Sequence, residues 1–182
     1  MVLTALCIIF ALVLFIIWYT CYYLKKVEPK CLQAAIIENP RTDNIIVLNG
    51  EKHERLFVPR TWRVTNMLLT HEYLSFAPIL PFETTVPITW KAVYYPNTAS
   101  NFSIRQAGLT HLTLSNKLEE IVQSAALQAT TNTLADFVIE NYDQFLSLRE
   151  NRWFMDYLSF EFSRMLSDTG YTGVIETEFP TK

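Results

Sequence analysis

The sequence is poor in the residues from which most catalytic sites are built. Only four glycines, three cysteines and three histidines occur in 182 residues. So few glycines make a backbone phosphate cradle hard to build, and neither a P-loop, a G-x-G-x-x-G nor a G-x-S-x-G motif is found. His53, His71 and His111 lie far apart and share no metal-ligand spacing. Cys7, Cys21 and Cys31 offer neither a disulfide framework nor a zinc pattern. Glu119 and Glu120 are adjacent, so on a helix they point to different faces and do not form a catalytic carboxylate pair. No catalytic residue, cofactor-binding residue or metal ligand is expected, and the chain is read as a non-enzyme. A net charge of −3 without a basic run speaks against nucleic acid as a partner.

A second absence is local. From Val2 to Leu24 the chain has 23 residues without a charge, a proline or a glycine. A helix of that length spans roughly 34 Å, against about 30 Å of bilayer hydrocarbon. It lacks the basic start, the shorter apolar core and the small-residue cleavage site of a signal peptide. The expectation is therefore a permanent single-span anchor over residues 1–26, with the lipid bilayer as a partner. Trp18, Tyr19, Tyr22 and Tyr23 crowd its C-terminal end, and Lys25 and Lys26 follow at once. Amphipathic rings and cations of this kind settle at the headgroup layer, so these six are the expected membrane-interface anchors. Cys21 and Cys31 lie close enough to that layer to be candidate S-acylation sites. Lys25, Lys26, Lys30 and Arg41 face an N-terminal flank with no charged side chain, which predicts that the rest of the chain stays on the cytoplasmic, unexported side. The sequon Asn101-Phe102-Ser103 matters only in the opposite orientation.

The 158 residues from Lys25 onward carry every charged side chain and three tryptophans, enough for one domain with a core, placed at residues 27–182. Leu32 to Ile37 and Ile45 to Leu48 read as strands, with Asn49-Gly50 as a hairpin turn and Leu56 to Val58 as the return strand. Trp62 to Val64 and Tyr73 to Phe76 suggest two more. The clearest strand is Thr85 to Tyr95, in which Val86, Ile88, Trp90, Ala92 and Tyr94 share one face, with Trp90 in the core. After Pro96 the spacing turns helical through Leu114, Leu118, Ile121, Val122 and Ala125. Thr133 with Asp136 predicts a capped short helix to Asn141, and Ser147 with Glu150 a longer one with Phe154, Tyr157, Leu158, Phe162 and Met165 on its apolar side. Gly170 is the expected stop, and Gly173 to Phe179 a last strand. Strands, then helices, then a strand make an α+β class.

This order resembles the SPFH or band 7 superfamily of stomatins, prohibitins and flotillins. The resemblance rests on an N-terminal span and Val27-Glu28-Pro29, on Gly50 followed by Leu56-Phe57-Val58-Pro59, and on Val86-Pro87-Ile88-Thr89-Trp90. It also rests on helices around Leu118–Leu127, Leu134–Asn141 and Phe145–Leu166, and on Gly170 before a final strand. It implies an α+β SPFH/band 7-like domain on a single transmembrane helix. It also implies a membrane scaffold that self-associates or surrounds a membrane client. The alternative is a single-span accessory subunit of a multi-subunit membrane complex. The family usually continues into a long charged coiled-coil helix, and this sequence ends at Lys182 without one. The expectation is a weak oligomer for the soluble part alone and larger species only in the membrane.

Overall fold

A computed structural model describes residues 2–42, 44–84, 88–137 and 139–177. It is a mixed α+β chain that opens on an apolar helix and divides into two compact units, Met1–Leu68 and Leu69–Lys182.

The first unit begins with helix α1, Val2–Tyr23, and passes directly into strand β1, Leu24–Val27. The chain therefore changes from helix to strand ahead of Lys25 and Lys26, not after them. Strand β2 (Gln33–Glu38) is central to a three-stranded antiparallel sheet, flanked by β3 (Ile45–Asn49) and β5 (Arg63–Leu68). Strand β4 (Leu56–Pro59) pairs antiparallel with β1, Lys25 opposite Val58 and Lys26 opposite Phe57. Asn49-Gly50 is thus not a two-residue hairpin turn, and β4 is not the return strand of β3. The Asn49 side chain instead accepts the Glu51 N–H and starts a 3-10 turn over Gly50–Lys52. Gly50 is required by close approach, since a Cβ there would run into the backbone carbonyl oxygens of Lys30 and Gln33. Val27, Val58, Ala35, Ile37 and Leu48 form a buried cluster, with Leu56, Trp62 and Val64 against it. Alternation along each strand sends these side chains to one face.

The second unit is built on the antiparallel sheet β6 (Glu72–Phe76), β7 (Trp90–Pro96) and β8 (Tyr171–Thr177), with β7 in the middle. Trp90, Ala92 and Tyr94 are buried on one face of β7, as the alternation predicts. The strand begins only at Trp90; Ile88 and Thr89 have no regular structure, and Thr85, Val86 and Pro87 lie outside the described residues. Helix α2 (Asn101–Leu114) is capped by Ser100, whose hydroxyl accepts the Ser103 N–H at 3.0 Å. Helix α3 runs Leu118–Ala135 and buries Val122, Ala126 and Ala129.

Two of the expected caps fall elsewhere. Thr133 is buried inside the last turn of α3, and Asp136 ends that helix, so no helix starts there; Val138 lies outside the described residues. Ser147 sits within α4 (Tyr142–Arg149) and its hydroxyl donates to the Asp143 carbonyl. The caps used are Asn141 for α4 and Asn151 for α5 (Arg152–Leu166), whose side-chain oxygens accept the Gln144 and Trp153 N–H groups. Asparagine serves as well as serine because its side-chain oxygen likewise accepts from an amide in the first turn. Helix α5 buries Phe154, Leu158, Phe162 and Leu166 and packs along β8, while Tyr157 and Met165 are half-buried. Gly170 ends the helical run at φ 77°, where a Cβ would also meet the backbone of Ala107 and Ser103. The last strand starts at Tyr171; Glu178 and Phe179 lie outside the described residues.

Candidate functional site

The feature of the first unit that aqueous folding does not explain is α1. Its Thr4–Tyr23 stretch has a mean hydropathy of 2.5 and none of it is buried. Phe10 is 65% exposed and Ile8 62% exposed. The helix is long and apolar enough to cross a membrane. Its C-terminal turns form a collar of rings. Phe15, Tyr19 and Tyr23 stand one above another at i, i+4 spacing, with centroids 6.3 and 5.0 Å apart. Trp18 stacks nearly parallel on Tyr22 at 5.6 Å. All four of Trp18, Tyr19, Tyr22 and Tyr23 are exposed, as headgroup-layer residues would be.

The cations of this end are arranged differently from their order in the chain. Lys25 is half-buried, and its Nζ donates to the Trp62 carbonyl at 2.7 Å, so it ties β1 to the start of β5. Lys26 is paired with Glu28 on the surface, and its ammonium holds the Glu28 carboxyl below the usual carboxylate range. The cation at the end of α1 is Arg60. Its backbone N–H donates to the Tyr23 carbonyl at 2.9 Å, its Nη2 to the Cys21 carbonyl at 2.8 Å, and its Nε to the Leu24 carbonyl at 3.5 Å. The Cys21 and Tyr23 carbonyls belong to the last turn of α1, whose carbonyls form the negative pole of its dipole. A guanidinium is suited to the task because it presents several donors in one rigid plane.

Nothing near Cys21 in the sequence announces Arg60, which lies 39 residues away from it. The β1–β4 pairing brings it there, with Leu24 opposite Pro59. The result is a cleft of about 430 Å3 between the helix end and the turn after β4. Tyr19, Tyr22, Tyr23 and Leu24 line one side, and Pro59, Arg60 and Thr61 the other. Of the residues singled out from sequence, the three tyrosines meet in this cleft, while Lys25 and Lys26 do not line it. Cys21 and Cys31 are both exposed thiols, one on the last turns of α1 and the other on the turn that links Lys30 to Gln33.

The second unit places the three-residue chemistry of the chain less suggestively. His71 packs its ring on Tyr95 at 4.3 Å, and His111 lies in the last turn of α2. Among the described residues no group of three or more His, Cys, Asp and Glu is placed to hold a metal ion. Glu119 and Glu120 are both exposed in the first turn of α3, where their charge complements the helix dipole. Scanned against the models of known protein families the chain matches none, and a search of curated proteins likewise finds no match.

Proposed function

We propose that this chain is a membrane-anchored, non-catalytic scaffold of the SPFH/band 7 kind, held by α1 and acting through contacts of its folded units with copies of itself or with a membrane client. The observation that carries the reading is the exposed helix Thr4–Tyr23 running into β1 with no intervening linker. An apolar surface of that size, uncovered along its length, is stable only in a non-aqueous surrounding. The band 7 resemblance draws support from the element order, a span followed by a β-rich stretch, helices and one last strand. The basic flank Lys25, Lys26, Lys30 and Arg41 supports a cytoplasmic side for the folded units by the positive-inside rule.

The accessory-subunit reading has its own support in the second unit. Trp153 and Phe160 stand on one side of α5 at 62% and 61% exposure, with half-buried Tyr157 stacked on Trp153 at 5.8 Å between them. Exposed aromatic stripes of this kind are common at protein contacts. Extraction of the full-length protein in mild detergent, followed by native mass measurement, separates the readings. A large homo-oligomer or a band of copies around one client supports the scaffold. A fixed stoichiometry with several different subunits supports the accessory role, and a detergent-solubilised monomer without partners contradicts both. Protease protection in sealed vesicles tests the orientation: an attached glycan on Asn101 would place the units on the exported side.

A further inference from the structure

We propose that the cleft beside Arg60 is a binding site for one glycerophospholipid, its phosphate held by the Arg60 guanidinium and an acyl chain lying along the Phe15–Tyr19–Tyr23 ladder. The inference rests on the reading of α1 as a membrane span and deepens it from an anchor to a lipid-selective one.

A guanidinium has five N–H donors. The Cys21 and Leu24 carbonyls engage Nη2 and Nε once each, and among the described residues no other acceptor is placed on Arg60. The remaining donors belong to an exposed guanidinium held by two backbone carbonyls, those of Cys21 and Leu24, while the Arg60 backbone N–H is fixed on the Tyr23 carbonyl. The planar fork suits a bidentate oxyanion, and two oxygens of a tetrahedral phosphate match it.

A phosphate approaching the bare C-terminus of α1 would meet roughly half a negative charge from the helix dipole. Arg60 lies against the Cys21, Tyr23 and Leu24 carbonyls and sets a full positive charge beside that pole. Lys25 does not compete for the ligand, because its Nζ is committed to Trp62, and Lys26 is paired with Glu28.

About 430 Å3 suits a phosphoglycerol headgroup rather than a whole lipid. The cleft opens where Tyr22 and Tyr23 end the helix, the level at which a headgroup would lie if α1 spans a bilayer. Tyr19, Tyr22, Tyr23 and Thr61 line it, residues whose hydroxyls are donors suited to phosphate oxygens. Below them, the stacked rings continue toward Phe15 as an apolar track for a chain.

The test uses the full-length protein in nanodiscs that contain equal mole fractions of phosphatidylglycerol and a phosphate-free galactosyl diacylglycerol, with native mass measurement of the lipid retained after release. The parent protein should retain the phospholipid about tenfold over the galactolipid, the factor expected of one charge-assisted contact. Arg60→Gln should bring the ratio near unity, Arg60→Lys should leave it intermediate, and Arg105→Gln, exposed on α2 of the second unit, should leave it unchanged. Equal retention by the parent overturns the proposal, as does an Arg60→Gln protein that keeps the preference or an Arg105→Gln protein that loses it. Displacement of the lipid by soluble glycerol phosphate would mark a site for a free phosphate ester and also overturn it. If Arg60→Gln does not fold, the parent's own preference decides. Failure of the parent to float with vesicles refutes the anchor itself, whereas flotation without phosphate preference refutes only the lipid site.

Discussion

Ser163 on α5 holds both backbone groups of Gly173 on β8: its hydroxyl donates to the Gly173 carbonyl at 2.6 Å and accepts the Gly173 N–H at 3.2 Å. One turn earlier, Ser159 accepts the Ile175 N–H at 3.2 Å. Strand β8 pairs with β7 on one side only, so its other side is an edge of unpaired donors and acceptors. The two serines occupy that edge and remove it as a template for pairing with another chain. Gly173 permits the approach, because a Cβ there would meet the Val93 carbonyl and the Phe162 ring.

Ser163→Ala should therefore cost about 1–3 kcal/mol, the usual penalty for stranding buried polar groups. In a protein of this size that lowers the melting temperature by roughly 2–4 °C per kcal/mol. The Ser159→Ala Ser163→Ala double variant should also aggregate more readily on heating, followed by light scattering. A double variant that melts and scatters like the parent would show that the edge is not protected by these hydroxyls.

Trp90 is wholly buried, stacked on Phe145 at 5.8 Å and edge-on to Phe76 at 6.4 Å. Trp90→Ala should destabilise the second unit by about 3–5 kcal/mol. Its Nε1 has no hydrogen-bond partner among the described residues, so Trp90→Phe removes a desolvated donor along with the extra ring. That variant should lose under about 2 kcal/mol, the cavity cost being partly offset. Denaturant titration of both variants checks the contrast; equal losses would mean that the indole N–H contributes nothing unfavourable.

Tyr94 and Tyr171 are both buried, with ring centroids 6.2 Å apart, and Glu72 faces Tyr94 across the strand pair. Burial is the main reason the Tyr171 phenol is pushed up to about 12, with the Glu72 carboxylate adding to it; burial and a hydrogen bond to Glu72 push the Tyr94 phenol further in the same direction. A phenol loses a proton on ionising, so a raised value means that the folded state retains a proton the unfolded chain releases. The stability linked to these groups is complete below the ordinary phenol value near 10 and is lost as pH rises from about 10 through 12. For Tyr171 the loss approaches about 1.4 kcal/mol per pH unit over that window. Tyr171→Phe should flatten this part of the stability profile, measured by denaturant titration at stepped alkaline pH, while phenolate absorbance reports the titration. An unchanged slope in the variant would rule out the assignment.

Gly50→Ala tests the packing of the first unit. The atoms a methyl would meet are main-chain oxygens of Lys30 and Gln33, which cannot swing aside as a side chain does. The expected loss is about 3 kcal/mol or more, beyond what a surface turn would show. Glu51→Ala, one position on and exposed, should change stability by under about 0.5 kcal/mol. Similar melting of both variants would mean that the turn yields.

What the sequence by itself determined is whatever depends on neighbours within a turn or a strand. An uninterrupted apolar run makes a helix of its own accord, because 3.6-residue periodicity needs no partner to satisfy the backbone, and α1 spans nearly the residues that composition marks. Alternation of period two put Trp90, Ala92 and Tyr94 on one buried face before any contact was known. Gly170 stands at the positive φ that ends a helix. Tertiary structure decided the rest, where two local readings were equally good and a distant contact chose between them. Asn49-Gly50 has the composition of a hairpin turn, yet β4 gains its partner from β1, and the β3 end is drawn instead against the Lys30–Gln33 backbone. Thr133 and Ser147 have the form of caps, but burial of the α3 face and the oxygens of Asn141 and Asn151 set the helix ends. Arg60 became the cation at the end of α1 because strand pairing carries it across 39 residues to Cys21. A hydrogen bond depends on distance in space, and only the completed fold sets that distance.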